Sequence, residues 1–212
     1  MINKIKNIQK YLLGGKEGFT LVETLIAVLL LATAIAGPLT IASRGLTASL
    51  VAKDQVTAYY LAQDAIEYAR WIRDTNKLCG HSWLAGLNGI SGNGHTNTSG
   101  GGGAIPPACN TNGSPLVDCT THTCAINSLA DTVSQCDSME GSACAVLYYD
   151  ATNKYFTHTT GIMGRTIFRR VIGLTASAGN SNEYILTATV KWIDTGGNFR
   201  SVVIQEYIYN WQ

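Results

Sequence analysis

The chain has 212 residues, enough for one domain of ordinary size plus an appendage. Hydrophobic residues make up 46% of it and charged residues only 14%, and much of the shortfall in charge falls in one nearly uncharged run. A formal net charge of +1 excludes nucleic-acid steering by bulk charge.

Residues 1–18 are short and basic: Lys4, Lys6, Lys10 and Lys16 stand against Glu17, a net of +3, and the remainder carries about −2. Residues 19–42 (FTLVETLIAVLLLATAIAGPLTIA) hold a single charge, Glu23. The run exceeds the roughly 20 residues that a membrane-spanning helix needs. With four lysines ahead of it, the positive-inside rule puts the N-terminus in the cytoplasm and the bulk of the chain outside. Gly37-Pro38 is expected to bend or loosen the helix, because proline removes a backbone donor and crowds the previous turn.

Residues 43–78 continue the helix amphipathically, to about Asn76. Val51, Ala58, Ala62, Ala65, Ala69 and Ile72 recur at spacings of seven, four, three, four and three, one stripe at helical period. Lys53, Asp54, Gln63, Asp64, Glu67, Arg70 and Arg73 occupy the other side. The first half of the helix is apolar all round and suits lipid or other helices. The second half has one face suited to a globular domain.

Residues 79–144 contain every cysteine of the chain: Cys79, Cys109, Cys119, Cys124, Cys136 and Cys144. An even count in one stretch, behind an export-type N-terminus, predicts disulfides in an oxidising compartment, with the pairing left open. The stretch SGNGHTNTSGGGGAIPPACNTNGSP reads as loop, with few residues able to bury apolar area. Residues 145–212 read as β: AVLYYD, TIFRRVIGLTASA, EYILTATVKWID and FRSVVIQEYIYNW predict about four antiparallel strands. In the third, Tyr184, Leu186, Ala188, Val190 and Trp192 share a face, and TGGN at 195–198 makes the last hairpin loop. The expected fold class is α+β: a long N-terminal helix, membrane-spanning in its first half, packed on a C-terminal antiparallel sheet, with a cysteine-rich insertion.

The apolar run is too long for a secretory h-region, and no small-x-small site follows it. The string Lys16-Glu17-Gly18-Phe19-Thr20-Leu21-Val22-Glu23 resembles the prepilin processing motif of type IV pilins and type II secretion pseudopilins. The resemblance implies that a membrane prepilin peptidase cuts after Gly18 and methylates the new terminus at Phe19. It further implies that Glu23 neutralises the terminal amine of a neighbouring subunit during filament assembly. The physics agrees: a lone carboxylate in a bilayer costs a few kcal/mol or more and seeks a partner, and cleavage creates a cation four residues away. The first helical turn also favours negative charge. Residues 188–211 are similar to the tails of minor pilins and pseudopilins of the PilV-like kind. Pro38 stands two residues earlier than the proline that major pilins often carry, and the long insertion points to a minor or specialised subunit. The implied partners are the peptidase, other pilin or pseudopilin subunits, an inner-membrane assembly platform, and lipid before assembly.

Other chemistries have weaker support. Cys119-x4-Cys124 with His122 lacks the spacing of a zinc site. His81, His95 and His158 have no catalytic context and read as surface residues. Asp131, Asp137 and Glu140 follow no calcium-loop pattern. Arg165, Arg169 and Arg170 read as the solvated face of a strand rather than a DNA contact. The glycine tract 100–103 lacks the lysine of a phosphate loop. No catalytic, cofactor-binding or metal-ligating set is assigned. The alternatives carried forward are an adhesin or DNA-uptake tip protein that binds through the cysteine-rich loop, and a membrane-anchored enzyme.

Overall fold

The computed structural model describes residues 18, 20–89, 117–136, 139, 143–159 and 164–211. It contains one long helix, α1 (Leu21–Leu78), and seven strands: β1 (Cys124–Asn127), β2 (Thr132–Gln135), β3 (Val146–Asp150), β4 (Tyr155–Thr157), β5 (Gly164–Ser177), β6 (Asn180–Ile193) and β7 (Phe199–Tyr209). The chain divides into two compact units, Met1–Ala48 and Ser49–Gln212.

In the first unit the helix begins with a cap. Thr20 Oγ1 accepts from the Glu23 backbone N–H at 3.2 Å, which satisfies one of the orphan donors of the first turn. The helical assignment stays unbroken through Gly37-Pro38. The hydroxyls of Thr33, Thr40, Ser43 and Thr47 donate to carbonyls three or four residues back. Such back-bonding satisfies hydroxyls that an apolar medium would leave bare. Every described residue of this unit is exposed. The helix is long and apolar enough to cross a membrane, and none of its most apolar window is buried.

In the second unit the stripe foreseen from spacing enters the core from Ala58 onward, while Val51 at its start is half-buried. Ala58, Ala62, Ala65, Ala69 and Ile72 are buried, joined by Leu61, Ile66 and Tyr68. These helix residues share one core with Leu174, Leu186, Ala188, Val190 and Ile208 of the sheet. The C-terminus of α1 closes in a Schellman motif: His81 N–H donates to Asn76 O (2.9 Å), Gly80 N–H donates to Lys77 O (3.1 Å), and Gly80 has φ +72°. Glycine takes that conformation without the steric cost a Cβ would add.

The sheet is antiparallel throughout. β5 is central, with β6 and then β7 on one side and β1 and β3 on the other; β2 and β4 flank β1 and β3. The alternation of β6 holds: Leu186, Ala188, Val190 and Trp192 are buried, and Tyr184 packs beside them. β6 and β7 stay in one continuous register from Ile193↔Phe199 to Glu183↔Tyr209. Their hairpin loop has Gly197 at φ +80°. The Asp194 carboxylate braces it, accepting from the N–H groups of Gly196 (2.9 Å) and Asn198 (2.8 Å) and from Arg200 Nε (3.0 Å).

Two expectations need correction. The sheet has seven strands rather than about four, because β1, β2 and β4 also belong to it. And the stretch 79–144 is more than loop. Trp83, Leu84, Leu87, Val117, Cys119, Cys124 and Ile126 enter the main core, and Trp83 meets Tyr184 edge-on at 5.8 Å. Strands of three or four residues are too short to show a period, so turn-rich composition hid them. The glycine-rich string 91–115 lies outside the described residues.

Candidate functional site

The segment singled out by the processing motif sits at the head of α1. Gly18 and Thr20 are exposed, Phe19 lies outside the described residues, and Glu23 is an exposed acid in the first turn. Leu21, Val22, Leu25, Ile26, Val28 and Leu29 surround it and are all more than half exposed. Among the described residues the geometry is a lone carboxylate among exposed aliphatic side chains. Burying that surface against lipid or helices strips water from Glu23, and the free energy of doing so depends on a cation being supplied.

The cysteines brace the second unit. Cys119 bonds Cys124, and Cys136 bonds Cys144. Cys79 is also disulfide-bonded, to a partner outside the described residues, where Cys109 lies too. Cys119 and Cys124 are buried in the main core and hold the entry to β1. Cys136 and Cys144 join Ala125, Ala145 and Val171 in a second, smaller core. These sulfurs act as structure, bracing the start of the buried strand β1 and the chain just after β2. Replacing Cys119 and Cys124 together by alanine is expected to lower stability by about 2 kcal/mol, from loop-closure entropy alone. Urea denaturation of the double variant against the parent checks it; an unchanged midpoint would refute the bracing role.

Two residues read as surface prove to be interior. Arg170 is 1% exposed. Its Nη1 donates to Asp64 Oδ2 (2.5 Å) and Leu61 O (2.9 Å), and its Nη2 donates to Ile126 O (2.7 Å). It therefore ties α1, β1 and β5 together. Burial lowers its pKa, and the Asp64 carboxylate opposes that shift. His158 is mostly enclosed, with Nδ1 3.1 Å from Val146 O. Burial, aided by the positive charge of Arg170, pulls its pKa down to about 4. Neither side chain breaks the local pattern, so only the register of the strands and the depth of the core reveal them. Arg169, by contrast, is half-buried and donates to Met139 O (3.0 Å), while Arg165 is exposed.

The remaining candidates do not converge. Tyr68 donates to Asp131, and burial followed by that hydrogen bond pushes the phenol pKa up. Asp131 is thus a structural acceptor; Asp137 and Glu140 lie outside the described residues. His122 is exposed and His81 half-buried, while His95 and the tract 100–103 are outside the described residues. Among the described residues there is no group of three His, Cys, Asp or Glu side chains placed to hold a metal. No family model, curated protein or solved structure matches the chain.

Proposed function

We propose that the chain is a structural subunit of a type IV pilus-like filament, a minor pilin or pseudopilin. Its leader, residues 1–18, is removed after Gly18 by a prepilin peptidase that methylates Phe19. The apolar half of α1 anchors it in the inner membrane, N-terminus in the cytoplasm, until assembly moves that half into a bundle of like helices. The β unit then faces outward, and the chain carries out no chemistry of its own.

The observation that carries this reading is the start of α1: a Thr20-capped helix with one acid, Glu23, in its first turn and an uninterrupted exposed apolar surface behind it. An ordinary membrane anchor gains nothing from that acid and loses a few kcal/mol by burying it. A subunit that docks its acid against a neighbour's new terminal amine recovers the loss, because each desolvated charge then has its mate.

Mass spectrometry of the protein from cells containing the peptidase is expected to find a methylated Phe19 at the N-terminus. An intact residue 1 in such cells would refute the proposal. Glu23→Ala should leave processing and membrane insertion in place and abolish incorporation into filaments. Immunoblots of sheared filament and membrane fractions separate the two; equal incorporation of the variant would remove the basis for the docking step.

A further inference from the structure

A groove of about 490 Å³ runs beside α1 in the second unit. Thr57, Tyr60 and Asp64, spaced three and four apart, form its helical wall. Ser128, in the turn between β1 and β2, and Phe156 of β4 face them. Phe156 is fixed from behind by Tyr149 and Phe168, with ring centroids 4.9 and 6.4 Å away. Tyr60 is 65% exposed, a ring standing largely in solvent beside the groove.

Asp64 gives the groove its chemistry. Arg170 Nη1 (2.5 Å) and Ser128 Oγ (3.1 Å) both donate to its Oδ2. Its Oδ1 receives no protein donor among the described residues, and 46% of the side chain is exposed. The carboxylate is thus held rigid, with one oxygen free to accept. Thr57 Oγ1 spends its proton on Lys53 O (3.0 Å) and keeps lone pairs for a further donor. Two acceptors beside an exposed aromatic ring suit a ligand with neutral donors and an apolar face. A cation fits less well: Arg170 already answers the charge of Asp64, and among the described residues no second carboxylate lines the groove.

We propose that this groove binds a hexopyranose sugar, stacked on Tyr60 and donating hydroxyls to Asp64 Oδ1 and Thr57 Oγ1. The site does not depend on the assembly reading, and its readout is separate from N-terminal processing. The test uses the full chain in a polyoxyethylene detergent, which carries neither sugar nor ammonium. Saturation-transfer NMR is recorded with methyl β-D-glucopyranoside, methyl β-D-galactopyranoside and methyl α-D-mannopyranoside, with tetramethylammonium as competitor. At least one glycoside is expected to receive transfer at its ring protons and to resist the competitor. Tyr60→Ala should weaken that glycoside about tenfold, as loss of an aromatic platform does. The unfolding temperature should stay put, since the ring is exposed. Thr57→Val, which removes one acceptor at nearly constant volume, should weaken it too. Absence of transfer from all three glycosides, displacement by tetramethylammonium, or full affinity in Tyr60→Ala would each overturn the proposal.

Discussion

Arg170→Ala is expected to destabilise the second unit by about 3–5 kcal/mol, a large share of the stability of an ordinary domain. Three losses combine. The substitution leaves a cavity where a long side chain was wholly enclosed. It strands the carbonyls of Leu61 and Ile126, whose donors come from the guanidinium. It also removes the cation from Asp64, though that cost is discounted because the carboxylate is 46% exposed. Arg170→Met separates the contributions. Methionine fills most of the volume and no longer buries a charge, so it should cost clearly less than alanine, while both carbonyls stay unpaired. Arg170→Lys should fall between them, because an ammonium lacks the fork that reaches two walls at once. Denaturant midpoints for the three variants give the order. A loss below about 1 kcal/mol for alanine would mean the guanidinium is not the tie that its contacts describe.

Acidification from pH 6.5 to pH 4 should cost the second unit about 3 kcal/mol through His158 alone. The folded pKa is about 4 against an ordinary value of 6.5, so within that window the unfolded chain binds the proton that the folded chain refuses. Stability is therefore complete above the ordinary value and is lost as the pH falls towards the folded one. The cause is enclosure first, then the fixed charge of Arg170, with Asp64 and the carbonyl of Val146 opposing it. His158→Gln removes the titration, so its stability should vary little across the window. Parallel slopes for parent and variant would show that the ring titrates normally. Carboxylates held down by hydrogen bonds, Asp118 at about 2 by Thr120 and Thr121 among them, act below this range. The two effects should also couple. In Arg170→Met the neighbouring positive charge is gone, the folded pKa of His158 should rise, and the acid slope should shrink.

Much of the architecture was legible along the chain because periodicity is local. The stripe from Ala58 to Ile72 needed only its own spacing to declare a helix with one buried face, and the alternation from Tyr184 to Trp192 declared a strand. The helix end, expected near Asn76, falls at Leu78, where Gly80 at φ +72° closes it. β1, β2 and β4 carried no comparable signal. Four residues such as Cys124–Asn127, all buried, become a strand only through partners at residues 132–135 and 172.

The candidate site divides in the same way. The Gly18–Glu23 string and the apolar run behind it state their chemistry in the order of residues, since a carboxylate among aliphatics is anomalous wherever the helix lies. That Arg170 is interior was decided 106 positions away by Asp64, and that His158 is held neutral was decided by what encloses it. Solvation of a polar group depends on everything within a few ångströms, and the chain order records only its two neighbours. The long helix, the longer strands and the anomalous acid were therefore written in the sequence itself. Burial of charge and the groove beside Tyr60 were settled only when distant segments came together, whereas the two described disulfides join cysteines five and eight residues apart.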